Sequence, residues 1–240
     1  MKQGGPFRYM LVMAIWVVAL LLAASLDARM AQYMQDSGIA SHVRSNKLLH
    51  SIMKAPGEYW FTVLVMVGVY FLHPRRWRAS LLVFMATCLS GVNGLLKWVV
   101  GRFRPFKGLD ENSAPLTPFT FHPFPHGLAG LTGVPNLSLP SGHAALAFAT
   151  AASASILLPR GRWIFYGLAC MVGAERVLEN THWLSDVVAA AALGIGGVWI
   201  VHRLFWQTLR GNDRHGCTIP VAGDPGVQRA GEHSHPVNPG

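Results

Sequence analysis

The fold is decided by residues 137–158, which read LSLPSGHAALAFATAASASILL. A proline, a serine, a glycine and a histidine lead directly into a run of small and apolar residues. A membrane-crossing helix needs about 20 mostly apolar residues, and this run approaches that length. His143 therefore lies where an apolar segment meets polar surroundings.

Five further apolar blocks accompany this stretch in a chain of 240 residues that is 51% hydrophobic and 13% charged. In chain order the six blocks are residues 8–26, 57–72, 80–100, 142–158, 163–180 and 184–206. Only helices or closed barrels satisfy the backbone in lipid, and these blocks are too long for barrel strands. The sequence therefore predicts an all-α fold, a polytopic membrane bundle of six transmembrane helices.

The net charge of +9 comes from basic groups that lie between or beyond the blocks. These groups are Lys2 with Arg8, HPRRWR at 73–78, PRGR at 159–162, and Arg203, Arg210 and Arg214. With six spans, all four groups fall on one side, which the positive-inside rule identifies as the cytoplasm. A continuous basic face for nucleic acid is not visible in this pattern, so we predict no nucleic-acid partner.

The domain prediction is one transmembrane unit over residues 1–210, with its core at about 57–206. The first block is interpreted as a retained helix, because it is long for a signal peptide despite the small residues at 23–28. Over residues 27–56 the sequence predicts one or two short amphipathic helices at the outer surface. The proline-rich loop 101–141 is predicted to form an ordered cap on the outer side. Residues 211–240 predict a disordered cytoplasmic tail. The positions of the three cysteines do not suggest a disulfide framework.

Polar residues collect at three block ends, all on the predicted outer side. They are Lys97, Arg104, Ser141, Gly142, His143, Arg176, His182 and Asp186. Any one of them has an ordinary explanation as a snorkelling anchor, a helix cap or a structural histidine. Ionisable groups at membrane depth are costly, however, and the agreement of the whole set indicates a functional site.

The residue types in this set suit phosphoryl transfer. The three cations would neutralise phosphate oxygens, and the helix start at Gly142 offers free N–H groups and the positive end of a helix dipole. One histidine could attack phosphorus while the other protonates the leaving oxygen. On a helix, His182 and Asp186 would share a face, so that the carboxylate orients the ring.

The spacing of these residues resembles that of the type 2 phosphatidic acid phosphatase (PAP2) superfamily. That family includes bacterial lipid phosphatases, glucose-6-phosphatase and vanadium-dependent haloperoxidases. Its motifs K-x6-R-P, P-S-G-H and S-R-x5-H-x3-D match Lys97 to Pro105, Pro140 to His143, and Arg176 to Asp186. The resemblance covers about residues 60–205 and implies an acid phosphatase/vanadium-dependent haloperoxidase-like core. One departure is Glu175, where the family has serine; it would either weaken anion binding or pair with a basic neighbour.

The resemblance also implies a role for each motif residue. His182 would be the nucleophile that forms a phosphohistidine, with Asp186 as its orienting partner. His143 would protonate the leaving group and later activate water. The phosphate cradle would consist of Lys97, Arg104, Ser141, Gly142 and Arg176. No metal or cofactor is implied.

The predicted function is that of an integral membrane lipid phosphatase in a bacterial inner membrane, with its site on the periplasmic face. Its partners would be the bilayer and a lipid phosphate: undecaprenyl diphosphate, phosphatidylglycerol phosphate, phosphatidic acid or a lipid A phosphate. The loop residues His122 and His126 either shape the head-group entrance or pack the loop. Oligomeric state is left open.

Three alternatives fit the same residues. A phosphotransferase would use the same phosphohistidine but pass the phosphate to a second lipid. A vanadium-dependent oxidase would hold vanadate in the same cradle, although six spans argue against it. A non-enzymatic transport or binding protein would keep the polar groups for ligand passage and release no phosphate.

Overall fold

The computed structural model describes residues 6–105, 118–125, 127 and 136–212, and the regular elements in these ranges are helices. They are α1 (Pro6–Asp36), α2 (Ile39–Ser45), α3 (Lys47–Lys54), α4 (Tyr59–Leu72), α5 (Arg76–Gly91), α6 (Asn93–Val100), α7 (Gly142–Leu157), α8 (Arg162–Leu178) and α9 (Leu184–Asn212). The predicted all-α class is confirmed. His126 and the part of the predicted tail from 213 onward lie outside the described residues.

The α7 helix, which contains the opening stretch, lies at the centre of the bundle. It packs against α4, α5, α8 and α9, and most of its side chains are buried. Its alanines and serines let neighbouring helices approach closely, as small residues do in membrane bundles. On α9, a Cβ atom at Gly194 would lie only 2.7 Å from the carbonyl oxygen of Ala145. Close packing of α7 therefore sets the position of its N-terminus relative to the ends of α8 and α9.

Large apolar side chains are exposed along α1, α4 and α5, as expected for helix faces that meet lipid. Among the described residues, three helical segments are long and apolar enough to cross a membrane: Phe7–Asp36, Arg76–Val100 and Leu184–Phe205. The pair Lys47–Gly57 and Tyr59–Leu72, bent by 51°, is a fourth if it is taken as one broken span. The α7 and α8 helices have 16 and 17 residues. At 1.5 Å per residue they are about 24–26 Å long, less than the ~30 Å hydrocarbon core. The protein thus has membrane-spanning helices, and the count of six is not established.

Two helix boundaries differ from the prediction. The α1 helix continues to Asp36, ten residues beyond the predicted end of the first block, before the two short helices α2 and α3. Asp27, which looked like a polar edge, lies inside this helix, where it is buried and bonded to residues on other elements. The third block, predicted as one span, is one helical segment long enough to cross a membrane, Arg76–Val100, and a single turn residue at Val92 divides it into α5 and α6.

The segment after α6 is held in place by backbone pairing. Gly101 ends α6 at φ 63°, and a Cβ atom there would lie 1.8 Å from the carbonyl oxygen of His122, so only glycine fits. The N–H of His122 donates to the Gly101 carbonyl (2.9 Å), and the N–H of Ser138 donates to the Arg102 carbonyl (2.7 Å). These bonds hold the backbone from which the side chains of Arg102 and the nearby Arg104 project.

Candidate active site

The predicted site residues converge on one cavity of about 520 Å³ at the end of the bundle where α7 begins and α8 ends. Its lining includes Lys97, Arg104, Gly142, His143, Arg176 and His182. Ser141, which precedes Gly142, is fully buried. Asp186, four residues after His182, is also fully buried. The structure therefore brings six of the eight motif residues to the cavity, with both imidazoles facing it, and it buries Ser141 and Asp186 beside them, where the Ser141 N–H donates to the Asp186 carbonyl at 3.3 Å.

His182 lies in the turn between α8 and α9 and is only 3% exposed. Because it precedes α9 rather than lying on it, the shared face that a helix through both residues would give is not formed. Instead, the Asp186 carboxylate reaches back to cap the helix, accepting the N–H of Trp183 at 2.9 Å. This leaves Asp186 Oδ2 3.6 Å from His182 Nδ1, longer than a hydrogen bond. Burial lowers the pKa of His182 to about 4 and Asp186 opposes that shift, so the ring is neutral at physiological pH.

Asp186 is held by a buried network that sequence reasoning missed. Arg102 Nη1 donates to Asp186 Oδ1 (2.6 Å), and Arg102 Nη2 donates to Asp27 Oδ2 (2.7 Å). Asp27 also accepts the backbone N–H of Ser185 at 2.9 Å. Arg102 and both carboxylates are almost fully buried, so each charge depends on the others for compensation. The signals available in the sequence were a lone acidic residue at the end of an apolar block and a second arginine in GRFRP.

His143 faces a carboxylate that the motifs also did not identify. Its Nε2 lies 3.3 Å from Glu58 Oε1, and Lys54 Nζ lies 2.7 Å from the same oxygen. Glu58 precedes α4, and the hydrogen bond from Lys54 lowers the pKa of its carboxyl below the ordinary value. The approach is close because Gly57 packs on α7, where a Cβ atom would lie 3.0 Å from the His143 carbonyl oxygen.

The start of α7 combines a braced backbone with an unsatisfied hydroxyl. In the amide orientation that satisfies both neighbours, Asn93 donates to the Pro140 carbonyl (3.1 Å) and accepts the N–H of Gly142 (3.0 Å). The Gly142 N–H, expected in the phosphate cradle, therefore already has a partner. The hydroxyl of Ser141 is buried and has no hydrogen-bond partner in the part of the chain that the structure describes. A buried unpaired hydroxyl next to a cavity is a ready donor for an oxyanion.

Two arginines face the cavity, one bonded to a backbone carbonyl and the other paired with a carboxylate. Arg104 Nε donates to the Leu137 carbonyl at 3.3 Å, and burial together with the charge of Arg176 lowers the pKa of its guanidinium. Arg176 donates from Nε and Nη2 to the two oxygens of Glu175, which is fully buried. Of the two expectations for Glu175, the structure thus shows pairing with a basic neighbour.

One group of side chains could in principle hold a metal ion. Within the described ranges, ligand atoms of His50, Glu175 and Glu179 lie within 4.8 Å of one another. Arg176 already bonds Glu175 and lies 3.2 Å from Glu179 through Nη2. A guanidinium therefore takes the place of a cation there, and we interpret the group as an ion-pair network.

Comparison with known proteins gives several matches. The lipid A 1-phosphatase of Rhizobium etli is 34% identical over 113 residues, which are 47% of this chain and 44% of that protein. The lipid A 1-phosphatase of Porphyromonas gingivalis is 40% identical over 76 residues, 28% of this chain and 17% of that protein. The chain thus spans less than half the length of these relatives.

Two solved structures are also similar. LpxE of Aquifex aeolicus has a TM-score of 0.49 at 20% identity, covering 65% of this chain and 84% of that one. A transmembrane PAP2 type phosphatidylglycerolphosphate phosphatase from Bacillus subtilis has a TM-score of 0.48 at 20% identity, covering 86% and 98%.

The model of the PAP2 superfamily matches residues 77–210, more than half of the chain, and this range includes all the predicted site residues. The family expected from the motif spacing is confirmed: the chain belongs to the PAP2 superfamily.

Proposed function

We propose that the protein is an integral membrane lipid phosphatase. It hydrolyses a phosphomonoester, or the terminal phosphate of a diphosphate, on a lipid. The observation that carries this proposal is the convergence of two histidines and the three cations of the motifs on one cavity at the end of an apolar bundle. The names of its relatives favour a lipid A phosphate over the other candidates.

In this proposal the phosphate is held by charge and by one hydroxyl. Lys97, Arg104 and Arg176 neutralise its oxygens, and the unpaired hydroxyl of Ser141 donates to one of them. Gly142 contributes by being small rather than by its N–H, because a Cβ atom there would lie 3.1 Å from the amide end of the Asn93 side chain. The dipole of α7 adds positive potential at the same place.

The chemical steps follow from the two rings. His182 is neutral, so a ring nitrogen has a free electron pair and attacks phosphorus. The bond from phosphorus to the lipid oxygen breaks, and His143, in its protonated form beside the Glu58 carboxylate, gives that oxygen its proton and becomes neutral. His143 then takes a proton from water, which attacks the phosphohistidine, breaks the P–N bond and releases inorganic phosphate. Asp186 stabilises the positively charged ring in between.

The proposed orientation places the cavity on the outer, periplasmic side of a bacterial inner membrane and both termini in the cytoplasm. At one end of the bundle, Asp27 on α1 bonds Ser185 on α9 beside the cavity. At the other end, Tyr9 on α1 pairs with Arg203 on α9. The α1 and α9 helices are therefore antiparallel. The first residues of α1 and the last residues of α9 lie on the side opposite the site. Six spans, with α7 and α8 as short buried ones, complete this topology.

The test is phosphate release from a panel of lipid phosphates by purified protein in detergent. We expect His182→Ala to abolish turnover and His143→Ala to reduce it by roughly 10² or more, the usual contribution of a general acid. The matched control is His42→Ala, an exposed histidine on α2 away from the cavity, which should keep full activity. Near-normal release by either cavity variant would refute the assigned roles. Phosphate that appears on a second lipid rather than in solution would instead identify a phosphotransferase.

A further inference from the structure

Glu58 places a negative charge in a cavity that is otherwise lined by cations and neutral groups. Among the described residues of the lining, it is the one acidic side chain. The other charged and titratable groups of the lining are Lys54 on α3, Tyr59 on α4, Lys97 on α6, Arg104 after α6, His143 on α7, Arg176 on α8 and His182 before α9. The four cations, together with partial burial, disfavour a positive charge on the His143 ring, and Glu58 opposes them.

The side chain of Glu58 is directed at His143 rather than used by its own helix. Glu58 immediately precedes α4, but its carboxylate makes no capping hydrogen bond to that helix. Its Oε1 lies 3.3 Å from His143 Nε2 instead. The chain bends by 51° here, between Lys47–Gly57 and Tyr59–Leu72. A Cβ atom at Gly57 would lie 3.1 Å from the His143 Cβ, so the bend and this close contact together set the position of the carboxylate.

Lys54 keeps the Glu58 carboxylate ionised. Its Nζ lies 2.7 Å from Glu58 Oε1, the same oxygen that faces His143. The hydrogen bond from Lys54 lowers the pKa of the Glu58 carboxyl, so Glu58 does not take the proton from the ring. An imidazolium has two N–H groups. A His143 ring that directs one of them to Glu58 therefore keeps the other for the leaving oxygen of a substrate.

We propose that Glu58 is a positioning residue for the protonation step, and that its carboxylate holds His143 in the charged form that the leaving oxygen needs. The proposal rests on the proposed function. His143 gives a proton to the lipid oxygen as the P–O bond breaks. It regains one from the water that attacks the phosphohistidine, so the charged ring beside Glu58 is restored after each turnover.

This role of Glu58 suits one class of substrate, the phosphate ester of an alcohol or sugar hydroxyl. Such a hydroxyl is about as weak an acid as water, whose pKa is about 15.7, so it leaves poorly without a proton. The leaving group of a diphosphate is itself a phosphate ester with a second pKa of about 6, and it leaves readily as an anion. That anion would also be repelled by the carboxylate beside His143.

The test compares dioleoyl phosphatidic acid, which releases an alcohol, with farnesyl diphosphate, which releases a phosphate ester, both in mixed micelles at fixed surface dilution. Glu58→Gln keeps the shape of the side chain and removes its charge. We expect it to lower kcat/KM for phosphatidic acid about tenfold and to leave kcat/KM for farnesyl diphosphate unchanged, because kcat/KM reports the steps up to the phosphohistidine. Asp36→Asn, which removes an exposed carboxylate from α1, is the matched control and should change neither value.

The second measurement is the pH profile of kcat/KM for phosphatidic acid. The rate falls on the alkaline side as the acid loses its proton. In Glu58→Gln the charged ring is harder to form, so this limb should move to lower pH by about one pH unit. Lys54→Gln removes a cation and leaves Glu58 to His143 alone, so its limb should move to higher pH. Ionisation of the substrate is the same in each variant, and a loss of packing would not move the limb in opposite directions.

The outcomes separate this role from the proposed function. Equal loss of kcat/KM on both lipids in Glu58→Gln, or an alkaline limb that stays in place in both variants, would overturn the role of Glu58 and leave the phosphatase standing. If Glu58→Gln does not fold, an unmoved limb in Lys54→Gln overturns the role by itself. Wild-type protein that releases phosphate from neither lipid would refute the proposed function, and the role of Glu58 with it.

Discussion

At the scale of single residues, the pairing of Glu175 with Arg176 distinguishes this site. The Glu175 carboxylate accepts hydrogen bonds from Nε and Nη2 of Arg176. A phosphate that bound the arginine in a bidentate contact would accept hydrogen bonds from the same two nitrogens. His50 Nδ1 lies 2.9 Å from the same carboxylate. The protein thus keeps a carboxylate where the proposed phosphate substrate would place an oxyanion. The arginine is well positioned, but its full capacity for phosphate is not available.

We therefore predict that Glu175→Ser tightens inhibition by inorganic phosphate about tenfold, because two charge-assisted bonds become available and one repulsive charge is removed. The apparent melting temperature should fall, because Arg176 loses its buried partner. Inhibition kinetics and a thermal scan measure both effects. Asp36→Ser, which removes an exposed carboxylate from α1, is the control and should change neither. Weaker inhibition by phosphate in Glu175→Ser would contradict this interpretation.

The motif residues could be predicted from the sequence because their spacing at block ends is visible in one dimension. Arg102, Asp27 and Glu58 could not be predicted in the same way. The partners of Arg102 are 75 and 84 positions away, and the carboxylate of Asp27 is bonded to a residue 158 positions away. The local signals for Asp27 and Arg102, a lone acidic residue at the end of an apolar block and a second arginine in GRFRP, do not identify which distant residues they contact.

At the scale of elements, the Asp27–Arg102–Asp186 network joins α1, the segment after α6 and the first turn of α9. Most of the large apolar side chains of α1 face outward, and its other contacts with the bundle include Trp16 and Met30 against the core and Tyr9 beside Arg203. The network therefore does two things: it docks α1 on the bundle and it fixes the carboxylate beside His182.

The presence of the main helices could be predicted from the apolar blocks. The extension of α1 and the break at Val92 were not, because each depends on contacts made only in the folded bundle.

At this scale we predict that Asp27→Asn destabilises the protein by about 3 kcal/mol, the usual cost of breaking a buried ion pair. Turnover per folded molecule should also fall, because Arg102 would shift and Asp186 would lose its fixed position. Thermal unfolding in detergent and phosphate release measure the two effects. Arg29→Gln, an exposed charge two residues along the same helix, should behave like wild type. An unchanged melting temperature for Asp27→Asn would show that the network does not hold α1.

At the scale of the whole molecule, the bundle has a polar end and an end where basic residues meet aromatic rings. The polar end contains the cavity, and the opposite end contains Arg203 beside Tyr9 and Trp199. Positive charge at one end of an apolar bundle sets its orientation in a bilayer. The charge pattern in the sequence predicts this arrangement, although the shortness of α7 and α8 shows why counting apolar blocks does not establish the number of spans.

The orientation can be tested by labelling single cysteines in intact cells, after replacement of the native cysteines by serine. We predict that Lys47→Cys, exposed on α3 near the cavity end, reacts with a membrane-impermeant thiol reagent. Arg160→Cys, exposed in the turn between α7 and α8, should react only after lysis. The reverse pattern would place the cavity in the cytoplasm.

The central claim is that His182 attacks the phosphorus of a phosphate held by the residues around it. Its most direct test is to mix purified protein with a lipid phosphate labelled at phosphorus, quench within the first turnover and map the label by mass spectrometry. The account predicts an acid-labile, alkali-stable phosphate on the peptide that contains His182, and a longer-lived label in His143→Ala, where water activation is slow. Rapid turnover with no labelled protein, or with the label on another residue, would contradict it.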